Sequence, residues 1–395
     1  MAEIQGNQTW KKKKKREESG LVNIRRILKF LAVLAVAISF VVFFLFIRSS
    51  PPSQSIPYRR STFVHNLGDC SSSTDRANMK EFDSPVHVVI TLDTLYLRGS
   101  IAAVESILAN CRCRENVFFH FLLSNTNLKS VIQHVFPHLK FQLHYFDSKK
   151  VQSMISNSIR QSLDQPLNYA RNYIADLLEP SIHRVIYLDS DLIVLDDIFE
   201  LWKTDLGSKT IGTPEYCYIN FKLYFTESFW SDPTFSGVFD GRSPCYFNTG
   251  VMVIDLKKWR QVGYTKQIEK WMNIQKINRI YELGSMPPYL LLFAGNITPI
   301  DHKWNRHGLG SDKITASCND VDGLPASLLH WSGSGKPWLR LDLNNPCPID
   351  YYWALYDLHT FKKTFWQNIS SNVEFNFVVM IRIICCICED GAISR

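Results

Sequence analysis

Short apolar runs alternate with helically spaced segments from Val86 onward, and that alternation sets the expected fold class. His87-Val88-Val89-Ile90-Thr91 reads as a buried strand, Arg98 to Ala109 as a helix, Val117 to Leu123 as a second strand and Leu128 to Phe136 as a second helix. Phe141 to Phe146 alternates as a third strand, Tyr169 to Leu178 has helical spacing, and Val185 to Leu188 is a fourth strand. Strands that alternate with helices connect through right-handed crossovers, so the expected class is α/β, with a Rossmann-like, mostly parallel sheet flanked by helices. After Asp197 the pattern loosens; Tyr246 to Asp255 reads as a further strand and Leu256 to Met272 as a helix with Gly263 inside it.

A different pattern precedes the alternation. From Phe30 to Ile47 the chain reads FLAVLAVAISFVVFFLFI without a charge, with Ile27-Leu28-Lys29 as its leading edge. About 20 apolar residues cross a bilayer core, whereas the core of a cleaved signal peptide is roughly 7 to 15 residues and is followed by small residues. Bulky Phe43 to Ile47 close the segment and no Ala-x-Ala follows, so residues 27–48 are expected to be a transmembrane signal anchor. Lys11 to Arg16, Arg25 and Arg26 lie on its N-terminal side, which keeps the basic tail 1–26 cytosolic and sends the rest to the lumen as a single-pass type II protein. Residues 49–84, which open with SSPPSQSIP, lack sustained periodicity and read as a luminal stem. The folded domain is expected over residues 85–370, and 371–395 is a C-terminal tail without a readable role.

The 395 residues are 46% hydrophobic and 13% aromatic, ample for a core, and carry a formal charge of +7. Because the basic run beside the anchor accounts for that excess, it predicts no nucleic-acid partner. All ten cysteines follow the anchor, in what would be an oxidising lumen, and no repeated Cys-x-x-Cys spacing marks a zinc site. Disulfides or buried thiols are the expectation, with Cys217–Cys245 and Cys318–Cys347 two pairings among many. Glycosylation sequons at Asn296 and Asn368 fall on the luminal side, and a third at Asn7 on the cytosolic side.

Chemistry enters at Asp189-Ser190-Asp191, which places two carboxylates at the mouth of a buried strand. Ligands of parallel α/β sheets gather outside the carboxyl ends of the strands, and side chains at i and i+2 of an extended backbone point the same way. A hard divalent cation, Mn²⁺ or Mg²⁺, takes such oxygen ligands and keeps positions for a diphosphate. The triplet alone is equally a turn or N-cap cluster, as Asp196-Asp197 is, until other segments join it. His330-Trp331-Ser332-Gly333-Ser334-Gly335-Lys336 adds an imidazole for a mixed Asp/His site, glycines that let backbone N–H groups approach an anion, and a lysine that can neutralise a diphosphate. Thr91-Leu92-Asp93-Thr94-Leu95-Tyr96 follows the first strand, where a nucleotide would lie; Asp93 can accept the N3–H of uracil and Tyr96 can stack on the base, while Asp93 as a helix N-cap is the structural alternative. Arg171 can bind sugar or carboxylate oxygens, or a neighbouring aspartate. With Lys257, Lys258 and Arg260 it forms the basic set available to an acidic ligand.

Five segments in register, VHVVITLDTLYLRGS from Val86, LNYARNYIADLLEP from Leu167, HRVIYLDSDLIVLDDI from His183, CYFNTGVMVIDLKKWR from Cys245 and LHWSGSGKPW from Leu329, resemble retaining glycosyltransferase family eight, and within it the plant galacturonosyltransferase-like branch. The resemblance spans residues 85–365. It implies a GT-A type fold, a UDP-sugar donor and Mn²⁺ (or Mg²⁺), with Asp189, Asp191 and His330 as metal ligands. By the same resemblance Thr91, Asp93 and Tyr96 meet the uridine, Gly333 and Lys336 the diphosphate, Asp189 and Ser190 the donor beside the metal, and Arg171 with Asn248 the donor sugar. Arg171, Asn248 and Lys336 are then the residues expected to act in catalysis. One segment departs: where bacterial members carry an Asp-Gln pair after the long helix, this chain reads Leu283-Gly284-Ser285-Met286-Pro287-Pro288. No nucleophile is expected there, which favours front-face attack assisted by the leaving diphosphate over a covalent intermediate. The resemblance further implies a Golgi membrane enzyme that moves galacturonic acid from its UDP derivative to a pectic cell-wall polysaccharide. UDP-xylose or UDP-galactose as donor, and a catalytically silent Golgi anchor or partner of another transferase, are the alternative readings; association with other Golgi transferases is a related expectation.

Overall fold

The computed structural model of the chain describes residues 56–62, 85–156, 164–311 and 325–360. The chain divides into two units, Met1–Ile56 and Pro57–Arg395, and the described residues from Pro57 onward belong to the second. The expected anchor at 27–48, the basic tail, Cys318, Asn368 and the 371–395 tail lie outside the described residues. Among the described residues no helix is long and apolar enough to cross a membrane.

Strands β1 (Val86–Leu92), β2 (Val117–Leu123), β3 (Phe141–Tyr145) and β4 (Arg184–Leu188) pair in parallel in the order β4-β1-β2-β3. They are the four strands that the apolar runs predict, with no end moved by more than one residue. β1 leaves only His87 and Thr91 partly exposed, as a parallel strand covered on both faces requires. Beyond β4 come β5 (Leu192–Val194), β6 (Ile211–Thr213), β7 (Glu215–Tyr216), β8 (Tyr246–Phe247), β9 (Val251–Asp255), β10 (Thr298–Pro299) and β11 (Leu328–His330). β9 runs antiparallel between β4 and β6, and β10 is parallel to β6, which completes a seven-stranded sheet ordered β10-β6-β9-β4-β1-β2-β3. The sheet is therefore mixed, its parallel character confined to the two sides of β9. β5–β11 and β7–β8 are separate antiparallel ribbons.

Three expected elements divide. Tyr246 to Asp255 becomes β8 and β9 because Asn248 Oδ1 accepts the Gly250 amide at 2.8 Å and turns the chain between them. The helix expected from Leu256 to Met272 is two, Leu256–Val262 and Tyr264–Ile277, separated at Gly263, whose φ of 72° is left-handed. Tyr169 to Leu178 is mainly a 3-10 helix, Pro166–Tyr173, followed by one α turn, Ile174–Leu177. The main hydrophobic cluster includes Val89, Tyr187, Met252, Trp259 and Phe293. A second, built on Ala102, Ile193, Trp331, Trp338 and Trp353, supports the β5–β11 ribbon.

Residues 57–61, expected in the stem, pack on the domain. Tyr58 bridges to His359, the Arg59 amide donates to the Leu358 carbonyl at 2.9 Å, the Thr360 amide to the Pro57 carbonyl at 2.9 Å and the Ser61 amide to the Val135 carbonyl at 2.8 Å. Three histidines cross the parallel strands in line: His87 Nδ1 lies 2.9 Å from His120 Nε2, His120 Nδ1 lies 2.9 Å from His144 Nε2, and His144 Nδ1 lies 3.0 Å from the Leu177 carbonyl oxygen. A carbonyl only accepts, so neutral His144 carries its proton on Nδ1, and the same tautomer passes to His120 and His87. The Cys217–Cys245 disulfide, one of the pairings the sequence leaves open, closes the β7–β8 ribbon. Cys347 is also disulfide-bonded, and Cys111 is a buried thiol whose pKa burial pushes up to about 12.

Candidate active site and metal centre

β4 delivers Asp189 at its carboxyl end, and the pairing of β5 with β11 sets His330 opposite Leu192. The Trp331 amide extends that ribbon by donating to the Asp191 carbonyl at 2.8 Å. Asp189, Asp191 and His330 thereby each offer a ligand atom within 4.8 Å of the others. His330 Nε2 is 3.1 Å from Asp191 Oδ1 and 3.8 Å from Asp189 Oδ2. On its other side, His330 Nδ1 lies 3.0 Å from Asn305 Oδ1. The amide oxygen holds the ring proton on Nδ1 and turns the Nε2 lone pair toward the two carboxylates, an arrangement that suits a shared cation. The space between them depends on one glycine: a Cβ on Gly250 would lie 2.3 Å from His330 Cε1, 2.7 Å from Asp189 Oδ2 and 2.8 Å from Asn248 Oδ1. Two carboxylates and an imidazole around a cradle of this kind fit a hard divalent ion.

Two buried cations flank the carboxylates. Lys336 Nζ is 2.5 Å from Asp191 Oδ2, 2.6 Å from the Trp331 carbonyl oxygen and 5.4 Å from the centroid of the Tyr96 ring. Burial pushes the Asp191 carboxyl up, but Lys336 and His330 more than offset it and hold the group well below the usual carboxylate range. Arg171 donates through Nε to the Asn168 carbonyl at 3.1 Å and through Nη1 to Thr249 Oγ1 at 2.9 Å, with Asp189 Oδ1 at 3.3 Å. Burial pulls its pKa down; the Asp189 carboxylate reverses the effect, and the guanidinium stays charged. The Tyr187 hydroxyl donates to Asp189 Oδ1 at 2.8 Å, which fixes that carboxylate from below.

The other expected residues fall into two groups. Ser190 Oγ donates to the Thr91 carbonyl at 2.7 Å, so the end of β1 is tied to the aspartate loop. Asp93 Oδ1 accepts the amides of Leu95 at 2.7 Å and Tyr96 at 2.8 Å ahead of the helix Leu97–Asn110, so one oxygen serves the turn, and burial raises its pKa. Tyr96 stands edge-on to Trp338 with centroids 5.7 Å apart. Asn248 Oδ1 also accepts from Asn305 Nδ2 at 3.2 Å, which joins it to the metal triad through one residue. Gly333 behaves differently from the expectation: its amide donates to the Leu309 carbonyl at 3.0 Å, and a Cβ there would lie 2.2 Å from the Gly310 carbonyl carbon. Its glycine serves backbone-on-backbone packing rather than the offer of an amide to phosphate. Arg260 donates to the Ala175 carbonyl at 2.8 Å and the Ile182 carbonyl at 2.9 Å, and Lys258 to the Gly207 carbonyl at 2.8 Å, so both staple the fold and leave the acidic-ligand set. Asn296 is exposed and accepts from Lys209 at 2.7 Å.

Asn305, Thr249, Tyr187, Gly250 and Gly99 belong to the site and carry no sequence signal of their own. Gly99 is a contact residue by absence: its Cβ would lie 2.3 Å from the Ser190 carbonyl oxygen, so glycine lets the helix Leu97–Asn110 approach the aspartate loop.

The family described as "Glycosyl transferase family 8" matches residues 87–342. "Probable galacturonosyltransferase-like 7" of Arabidopsis thaliana is 60% identical over 311 residues, 79% of this chain and 86% of that protein. "Probable galacturonosyltransferase-like 5" of Arabidopsis thaliana is 57% identical over 314 residues, 78% of this chain and 87% of that protein. Among solved structures, the galactosyltransferase LgtC in complex with donor and acceptor sugar analogues is similar at a TM-score of 0.54 and 20% identity, covering 70% of this chain and 98% of that one. An active-site mutant of LgtC gives a TM-score of 0.55 at 20% identity, with 71% and 99% covered. That likeness is one of fold, a GT-A-like sheet with flanking helices.

Proposed function

The chain belongs to glycosyl transferase family 8 and is a glycosyltransferase, and on that premise we propose that it moves galacturonic acid from UDP-galacturonate to a pectic polysaccharide, with retention at the anomeric carbon, in the Golgi lumen. The observation that carries this reading is the convergence of Asp189, Asp191 and His330 on one point between Lys336 and Arg171. A divalent ion held by the triad, Mn²⁺ in this proposal, would neutralise diphosphate charge and polarise the leaving group. Lys336 adds a fixed ammonium where negative charge grows on the departing β-phosphate, an interaction stronger in the transition state than in the ground state. Arg171, immobilised through Nε and Nη1, is the guanidinium beside the triad, and a guanidinium is the side chain suited to a uronate carboxylate.

Residues 283–288 contain no carboxylate to act as a nucleophile. Retention then follows from attack on the face that the diphosphate leaves: the acceptor oxygen bonds to the anomeric carbon, the electron pair of the broken bond goes to the β-phosphate oxygen, and that oxygen takes the acceptor's proton. The names of the relatives support galacturonate as the sugar. The Cys217–Cys245 disulfide and the exposed Asn296 support a luminal domain, since disulfides persist in oxidising compartments.

The test is a secreted luminal chain assayed with Mn²⁺, an oligogalacturonide and, in parallel, UDP-galacturonate, UDP-xylose and UDP-galactose. Transfer from UDP-galacturonate with an α-linked product in the proton spectrum is the expected result. Transfer from UDP-xylose or UDP-galactose alone would replace the sugar assignment, and transfer from none of the three would favour a silent partner of another transferase.

A further inference from the structure

The β7–β8 ribbon carries an aromatic wall that the donor does not need. Tyr218, next to the Cys217–Cys245 disulfide, is 81% exposed, and Leu223, on the 3-10 turn Phe221–Tyr224 that follows, is 78% exposed. Tyr218 stands at 90° to Tyr216 with ring centroids 6.1 Å apart. Tyr216 is itself buried beneath His302, stacked on it at 4.8 Å, and has His307 edge-on at 4.6 Å. Behind them Tyr246 stacks on Tyr224 at 4.5 Å. The pairing of β7 with β8 and the disulfide fix the backbone on both sides of this group. Tyr218 thus offers its ring to solvent with buried Tyr216 at right angles behind it.

The wall leads directly to the reacting centre. The Tyr216 hydroxyl donates to the Asn305 carbonyl at 2.6 Å, and the Asn305 side chain contacts His330 Nδ1 at 3.0 Å and Asn248 Oδ1 at 3.2 Å. Tyr246 hydrogen-bonds with the Asn248 side chain. The nucleotide-side residues come from other elements: Asp93 and Tyr96 precede the helix Leu97–Asn110, and Lys336 follows β11. Hydrogen bonds therefore tie the metal triad to the ribbon beneath Tyr218, while Lys336 and Tyr96 approach it from other elements.

We propose that Tyr218, backed by buried Tyr216 on which exposed His302 is stacked, is an acceptor subsite that seats a pyranose ring of the polysaccharide beyond the residue that reacts. The C–H face of a pyranose stacks on a phenol ring while its hydroxyls stay wet, which matches the amphipathic character of tyrosine. Lys222, exposed on the 3-10 turn Phe221–Tyr224 with its ammonium 5.9 Å from the Trp230 ring centroid, supplies a positive charge for an acidic chain passing over it. The inference rests on the glycosyltransferase reading and adds the seat of its acceptor.

Saturation-transfer NMR on the luminal chain, with oligogalacturonide, galacto- and xylo-oligosaccharides as probes, tests it alongside calorimetry with UDP and Mn²⁺. Tyr218→Ala is expected to abolish saturation transfer to the saccharide that the unmodified chain binds and to raise the acceptor KM about tenfold, the loss of one stacking contact. Tyr218→Phe is expected to keep both, because the ring and not the hydroxyl makes the contact; UDP affinity reports that the donor pocket is intact in each variant. Saccharide binding that survives Tyr218→Ala, or binding of none of the three probes by the unmodified chain, overturns the subsite. Transfer from a different UDP-sugar, with the Tyr218 effect preserved, would instead overturn the galacturonate assignment and leave the subsite standing.

Discussion

Lys336 and His330 close on opposite oxygens of one carboxylate: Asp191 Oδ2 is 2.5 Å from Lys336 Nζ, and Oδ1 is 3.1 Å from His330 Nε2. Asp191 thus links the lysine assigned to the diphosphate with the metal triad, and its replacement has two separable effects. Asp191→Asn should weaken Mn²⁺-dependent UDP binding by calorimetry. It should also lower stability by about 3 kcal/mol in urea unfolding, because buried Lys336 is left without its counter-charge. Adding Lys336→Met should recover much of the stability and none of the UDP binding. Unchanged stability in the single variant would show that the pair is not coupled.

Gly250→Ala is the sharpest steric probe of the metal cradle. The new methyl would fall within van der Waals contact of His330, Asp189 and Asn248 at once. Overpacking of this kind costs about 1–3 kcal/mol in a core, and here the strain falls on two proposed metal ligands. Mn²⁺ affinity, followed by the ion's electron paramagnetic resonance signal, should drop while circular dichroism stays native. Full retention of Mn²⁺ binding would move the metal elsewhere.

The histidine line predicts a pH dependence of stability. Burial pushes the His120 pKa from 6.5 down to about 3, and it lowers His87 and His144 as well. In the unfolded chain these rings titrate at their ordinary value, so between pH 6.5 and 3 the unfolded state binds protons that the folded state refuses. The group is indifferent above that window; as pH falls through it, stability declines by up to about 1.4 kcal/mol per pH unit for each uncharged ring. His120→Gln, which keeps a donor and an acceptor but does not titrate, should flatten part of the slope between pH 7 and 5 in urea titrations. An identical slope in the variant would assign the acid sensitivity to other groups.

Reduction of Cys217–Cys245 should loosen the ribbon that carries Tyr216 and Tyr246. A bridge of this loop length contributes about 3 kcal/mol by the chain-entropy estimate. The Cys217→Ser/Cys245→Ser variant should therefore melt several degrees lower, a shift of the size expected for ~3 kcal/mol in a domain of this length. An unchanged melting temperature would mean that the aromatic stacking alone holds the ribbon.

The sequence made the parallel half of the sheet legible because Val86–Leu92, Val117–Leu123 and Arg184–Leu188 are short, mostly apolar runs broken only by His87, Thr91, His120 and Arg184. It did not disclose the direction of β9, because VMVID is equally apolar whether its neighbour runs with it or against it. Asp189, Asp191, His330 and Lys336 were readable from residue type and motif order, and the structure brings these four together. Asn305 was not readable: an asparagine between Trp304 and Arg306 has no periodicity or motif, and its role arises only because β11 folds against that loop. Gly333 shows a related limit of pattern, since a glycine required by a neighbouring backbone looks in sequence the same as one required by a phosphate.

The strap formed by residues 57–62 decides how much of the chain the catalytic domain needs. Glu105 is buried in the helix Leu97–Asn110, its pKa is raised by desolvation, and the partners that lower it again are Ser61 and Arg59 of the strap together with Arg114. Cutting the chain at Val86, the natural choice from hydropathy alone, would strip two of those partners from a carboxylate in the interior and remove the Tyr58 seat against His359. The catalytic unit is therefore longer than its sheet, and residues 57–61 with Leu358–Thr360 behave as a clasp: whatever pulls on one loads the other.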